Sequence, residues 1–92
     1  MAKRPRIEIE YCTQCRWLLR SAWMAQELLT TFETELGEIA LLSGSGGVFE
    51  IRVDGHAVWS RHEKGRFPEL KELKQLVRDI VDPGKELGHS DR

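Results

Sequence analysis

Cys12 and Cys15 are the only cysteines in the chain, and two residues separate them. A thiolate is a strong nucleophile and a metal ligand, and a C-x-x-C pair can also close into a disulfide. A bridge across so short a loop constrains the unfolded chain very little, and a reducing compartment disfavours structural disulfides. Two chemistries remain: thiol–disulfide exchange and metal binding. The elements around the pair decide between them.

The run Arg6-Ile7-Glu8-Ile9-Glu10-Tyr11 alternates strictly, with Ile7, Ile9 and Tyr11 on one face and Arg6, Glu8 and Glu10 on the other. This pattern predicts a strand with one wet face, ending at the first cysteine. Residues 16–36 then predict a helix whose apolar stripe is Leu18, Ala22, Ala25, Leu29, Phe32 and Leu36, with Gly37 as its stop. The C-x-x-C therefore falls between a strand and the following helix. Free backbone N–H groups and the positive end of the helix dipole converge there, which stabilises a thiolate. Ile39 to Leu42 predicts a short buried strand, and residues 43–47 (Ser-Gly-Ser-Gly-Gly) a flexible loop. Val48–Val53 and His56–Arg61 flank Asp54-Gly55, a strong hairpin signal. Pro68 opens a second helix at its first position, with Phe67, Leu70, Leu73, Val77, Ile80 and Val81 as its apolar face and Pro83-Gly84 as its end.

The order is β-α-β-β-β-α, an α/β (α+β) chain. The first strand, helix and second strand form a right-handed parallel unit, and the hairpin extends it to a four-stranded mixed sheet. Polar faces on the first and third strands place both helices on one side and leave the other side to water. A two-residue Asp54-Gly55 loop pairs Ile51 with Val58 and Glu50 with Trp59. Trp59 then lands on the open face, where its ring either covers neighbouring charges or offers a contact surface. Trp23, Met24 and Phe49 read as core or near-core residues.

Ninety-two residues suffice for one domain with one modest core. We read residues 1–5 as an arm, 6–82 as the domain and 83–92 as a flexible tail. Charged residues make up 32% and hydrophobic ones 40%, a globular mixture, and the net charge of −1 gives no electrostatic footprint for nucleic acid or anionic membrane. No apolar run spans a bilayer, and Glu8 and Glu10 interrupt any leader-like stretch, so the expected compartment is the cytoplasm. An open sheet face is compatible with a monomer or a weak homodimer.

Around the cysteines, Arg16 and Arg20 break the usual charge rule for a helix start, since no acidic residue appears before Glu27. The second helix obeys the rule, with Glu69 and Glu72 early. Positive potential there stabilises a thiolate or receives a carboxylate-bearing partner such as glutathione; alternatively the arginines form a solvated face. Trp17 lies off the main stripe and reads as half-buried packing or a partner contact. Gly46 and Gly47 precede the third strand, which should neighbour the first, so this loop is either a plain connection or a place where a substrate chain passes closely. Thr13, Gln14, Arg16, Trp17, Gly46 and Gly47 are thus the candidate substrate-binding residues, with Cys12 and Cys15 as the candidate catalytic pair. A zinc site would need His56 and His62 as the remaining ligands. Their spacing suits zinc, but the long intervening stretch and the position of His56 at the hairpin turn do not. No resident metal or cofactor is expected.

Four segments, Tyr11-Cys12-Thr13-Gln14-Cys15, Gly47-Val48-Phe49-Glu50, Asp54-Gly55 and Gly65-Arg66-Phe67-Pro68, occur in the order seen in one known family. Over about residues 6–82 the chain resembles the selenoprotein W, T and H family, in its bacterial form with cysteine in place of selenocysteine. The resemblance implies a thioredoxin-like fold and a glutathione- or thioredoxin-linked redox role, with a thiol- or disulfide-bearing partner. It also places Cys15 at the selenocysteine position. A thiol is less acidic than a selenol and a weaker nucleophile. Thioredoxin's cis-proline has no counterpart here, where Ser and Gly precede the third strand, so its way of holding a substrate peptide is not carried over. Helix-start physics favours Cys12 as the attacking sulfur and the resemblance favours Cys15. The competing reading is a redox-sensitive interaction module in which the C-x-x-C loop and Trp17, with Trp59 as a further candidate, dock another protein.

Overall fold

The structure, a computed structural model, describes residues 4–88. The outer parts of the expected arm and tail, His89 among them, lie outside the described residues. The elements are β1 (Arg6–Cys12), α1 (Leu18–Thr31), β2 (Glu38–Gly44), β3 (Phe49–Val53), β4 (His56–Ser60), α2 (Arg61–Lys64) and α3 (Leu70–Val81). The sheet order is β2-β1-β3-β4, with β1 parallel to β2 and antiparallel to β3. This is the mixed four-stranded sheet that the alternating pattern and the hairpin signal predict. Short α2 is an addition that the sequence pattern did not reveal.

Ile7, Ile9 and Tyr11 of β1 and Phe49, Ile51 and Val53 of β3 point to one face and are buried against Met24, Leu28 and Phe32 from the first helical segment and Leu73 and Val77 of α3. The other face carries charge: Arg52 pairs with Glu8, Glu10 and Glu50, and Arg6 pairs with Glu8 and Glu38. Both long helices therefore lie on the apolar side. Covering one face is enough because every second residue of the two central strands, β1 and β3, is charged up to Cys12.

Several local expectations are corrected. Helix α1 begins at Leu18, not Arg16, because Arg16 sits in the left-handed region at φ 64° and cannot continue a helix. It ends at Thr31, where Phe32 leaves helical geometry (φ −112°, ψ 40°) and buries its ring completely. The buried stripe is Ser21, Met24, Ala25 and Leu28; Leu18 and Leu29 are exposed, and Trp23 is 45% exposed rather than in the core. Two apolar stripes one residue apart compete on this helix, and the sheet takes the one containing Met24 and Leu28. Strand β2 is an edge strand, half-buried rather than buried, with Leu41 exposed. Pro68 is buried ahead of α3, whose N-cap is Glu69; Glu69 and Glu72 form a reciprocal capping box. Ile80 is exposed.

The hairpin turn at Asp54-Gly55 forms as expected, with φ of 48° and 87°. Its register does not follow a plain hairpin. Arg52 pairs with Ala57 and Ile51 with Trp59, so Val58 is an extra residue without a partner. This bulge moves Trp59 to the core face, where it is only 3% exposed. Trp59 is therefore no contact surface on the open face. Its indole N–H donates to the Arg66 carbonyl at 3.1 Å and fixes the loop that leads to α3.

Candidate redox site

Strand β1 ends at Cys12, which pairs in register with Gly44 of β2. The Cys12 N–H donates to the Val48 carbonyl at 2.8 Å, and the Thr13 N–H donates to the Gly44 carbonyl at 3.1 Å. The two ends of the glycine loop thus grip the first half of the C-x-x-C. The loop turns at Gly46 and Gly47, both at positive φ, and the Val48 N–H closes it on the Ser45 carbonyl at 3.3 Å. Gly44 is required by close approach rather than by backbone conformation, since a Cβ there would lie 2.6 Å from Cγ1 of Val48.

Cys12 and Cys15 are joined as a disulfide, with Cα atoms 5.3 Å apart. The turn holding them is closed by the Arg16 N–H on the Thr13 carbonyl at 3.1 Å. The two sulfurs are placed differently. Cys12 is 2% exposed, whereas Cys15 is half-buried and Thr13, Gln14 and Arg16 around it are exposed. The Cys15 N–H points at Cys12 Sγ at 3.3 Å. This donor comes from the turn, because the free N–H groups of α1 start three residues beyond Cys15. Helix α1 has no side-chain cap and no acidic residue in its first turn, so its positive end is not neutralised locally. An open depression of about 270 Å³ lined by Tyr11, Thr13, Arg16 and Leu18 lies beside the bridge.

Trp17 is the N-cap of α1 and packs edge-to-face on Phe67, ring centres 4.8 Å apart; Phe67 in turn packs on Phe49 at 5.0 Å. Phe49 neighbours Tyr11 across the strand pair. The segment Gly65-Arg66-Phe67-Pro68 is thereby brought against the residue two positions after Cys15. Cations gather on these rings. Arg20 Cζ lies 4.2 Å from the Phe67 ring centre, and Arg61 Cζ lies 4.9 Å from that of Trp17 and 5.3 Å from that of Phe67.

The structure thus brings together Cys12, Thr13, Gln14, Cys15, Arg16 and Trp17, and it adds Gly44 and Val48 as backbone partners. For Gly46 and Gly47 it shows the turn and no contact with the cysteines. His56 pairs with Val53 at the far end of the sheet, away from Cys12, while His62 lies in α2. Arg61 and Phe67 escaped sequence reasoning as site residues. The only signal was the Gly65–Pro68 segment, which carried no chemistry of its own.

With that geometry in place, the relatives become informative. The family model described as the Rdx family matches residues 6–79. A Bordetella parapertussis protein of known crystal structure is 64% identical, with a TM-score of 0.79 over 80% of this chain and 94% of that one. The crystal structure of a selenoprotein W-related protein from Vibrio cholerae is 55% identical, with a TM-score of 0.81 over 84% of this chain and 96% of that one. Both likenesses carry the thioredoxin-like fold expected above. Among curated relatives, migration and invasion enhancer 1 of Mus musculus is 34% identical over 74 residues, 78% of this chain, and that of Bos taurus 33% identical over 75 residues, 79% of this chain. The match spans about three-fifths of those relatives, 61% and 62% of their lengths.

Proposed function

Because the chain belongs to the Rdx family, we propose that it is a thiol–disulfide redox protein in which Cys12 and Cys15 cycle between dithiol and disulfide. The observation that carries this reading is the disulfide itself, closed at the strand-to-helix turn with one sulfur accessible and the other buried.

The chemistry follows from that asymmetry. In the reducing direction, the Cys15 thiolate attacks one sulfur of a substrate disulfide. That S–S bond breaks, a substrate thiolate leaves, and Cys15 is joined to the other half. The Cys12 thiolate then attacks Cys15 Sγ, closes the Cys12–Cys15 bond and expels the second substrate thiolate. Two electrons pass from the dithiol to the substrate, and the leaving thiolates take up the two protons. In reverse, an external thiolate attacks Cys15 Sγ and Cys12 is the leaving group. The Cys15 N–H at 3.3 Å from Cys12 Sγ stabilises that leaving thiolate. Thr13, Gln14, Arg16 and Trp17 form the rim that a substrate meets, and the glycine loop holds the turn in shape. Glutathione or a thioredoxin-like dithiol supplies the electrons that reopen the bridge, their disulfide forms accept electrons in the other direction, and the cytoplasm is the compartment whose poise suits the cycle. Single Cys12→Ser and Cys15→Ser variants should each lose the intramolecular bond while Cys12→Ser accumulates a mixed disulfide on Cys15. A double variant that still transfers electrons would contradict the reading.

A second reading has one observation in its favour. Leu19 is 82% exposed, and with Arg20 and Trp23 it lines an open, largely apolar depression of about 480 Å³ on α1, just beyond the cysteine turn. A redox-sensitive interaction module would use that surface to bind a protein partner. Partner binding that persists undiminished in the double serine variant, without electron transfer, would favour it.

A further inference from the structure

The described arginines divide into two sets. Arg4, Arg6, Arg52, Arg66 and Arg78 each meet a carboxylate. Arg16, Arg20 and Arg61 meet none among the described residues, and all three lie at the Cys12 end of the sheet. Their common location follows from topology: β1 ends there, β4 runs antiparallel to β3 and ends there, and α1 starts there. Arg20 and Arg61 both hold their guanidinium carbons within 5.3 Å of the Phe67 ring centre. Arg61 Nε is buried and has no hydrogen-bond partner among the described residues. Two like charges held against one ring repel each other, and an anion bound between the two guanidinium groups would relieve that repulsion.

The cluster is also within reach of the sulfurs. Trp17, which packs on Phe67, is two residues from Cys15, so their Cα atoms are no more than about 7 Å apart. Resting on the redox reading above, we propose that Arg20 and Arg61, held on the Trp17–Phe67 rings, form an anion subsite that receives the carboxylates of a peptide thiol or disulfide while its sulfur engages Cys15. The substrate class is a cysteine peptide with carboxylates near its sulfur. Glutathione is one source of that chemistry and an acidic protein segment is another. Guanidinium groups suit this task because they pair with carboxylates in fixed geometry while stacking on aromatic faces.

The test has a binding arm and an exchange arm. In the binding arm, S-methylglutathione, which cannot exchange, is titrated into oxidised wild-type protein. Amide and indole shifts at Trp17, Arg61 and Phe67 should move, and the affinity should fall about tenfold in the Arg20→Gln/Arg61→Gln double variant. An Arg20→Lys/Arg61→Lys variant should recover part of it, which separates lost charge from lost packing. In the exchange arm, the oxidised protein is reduced by glutathione and by glutathione diethyl ester, each corrected for its thiolate fraction. Wild type should prefer the free acid, and the preference should shrink with added salt and in the double glutamine variant. An acidic cysteine hexapeptide run alongside distinguishes the sources: arginine dependence for the hexapeptide alone assigns the subsite to a protein segment. Equal behaviour of free acid and ester, no shift at Trp17 or Phe67 and no arginine dependence with the hexapeptide would together overturn the subsite while leaving the redox cycle intact. Anion binding without any reduction of the bridge would keep the subsite and remove the cycle.

Discussion

Two sulfurs three residues apart meet different surroundings, and this asymmetry is where residue-scale predictions begin. With Cys12 buried and Cys15 half-buried, the reduced Cys12→Ser protein should react with a bulky alkylating reagent at least about tenfold faster than the reduced Cys15→Ser protein, since reactivity follows thiolate exposure. Faster labelling of Cys12 would reverse the assigned roles. A second residue-scale prediction concerns Glu8. The Arg52 guanidinium that hydrogen-bonds it at 3.0 Å holds its carboxyl below the usual range. A depressed folded pKa means that the pair contributes stability above the ordinary glutamate range, and that this contribution is lost as pH falls through the lower folded value. A carboxyl NMR titration should show Glu8 titrating below a model glutamate, and Arg52→Gln should return it upward. At this scale the sequence was informative about side-chain chemistry and silent about backbone. The C-x-x-C and its strand-to-helix position were legible. The left-handed conformation of Arg16 was not, because an arginine carries none of the signals that Gly or Asn gives for that region.

At the scale of elements, α1 offers the sharper test. Its sequence contains two overlapping apolar stripes, and periodicity alone does not choose between them. The structure selects the face of Met24 and Leu28 and leaves Leu29 exposed. Leu28→Ala should therefore cost about 2–5 kcal/mol of stability by denaturant unfolding, against less than about 0.5 kcal/mol for Leu29→Ala. Equal costs would mean that the helix is rotated from the position described. The glycine loop gives another prediction. A Cβ at Gly44 meets Val48 at 2.6 Å and Glu10 Oε2 at 3.0 Å, so Gly44→Ala should destabilise by about 1–3 kcal/mol. It should also loosen the Cys12 N–H bond to Val48, read as faster amide exchange at Cys12. The hairpin shows why register is harder to read than element type. Asp54-Gly55 specified the turn, but a single extra residue at Val58 reversed the face of Trp59. Nothing in the residue types around Val58 marks a bulge; with it in place, the Trp59 indole donates to the Arg66 carbonyl seven residues on.

For the whole molecule, the same sheet separates two functions by face and by end. One face buries the core, and the opposite face is a charge lattice centred on Arg52. The Cys12 end of the sheet collects the bridge, the aromatic rings and the arginines that have no carboxylate partner among the described residues. Fold class and strand order were legible because alternation, the turn signal and the parallel crossover all agreed. The aromatic–arginine cluster was not, since it assembles Trp17, Arg20, Arg61 and Phe67 from segments that only tertiary packing joins. A working dithiol–disulfide couple between Cys12 and Cys15 is read out by equilibrating the protein in graded glutathione redox buffers, quenching, and measuring intact mass. The wild-type protein should lose two hydrogens across a defined span of poise, and neither single serine variant should lose them. Two thiols that stay free at every poise in the wild-type protein would rule out the Cys12–Cys15 cycle.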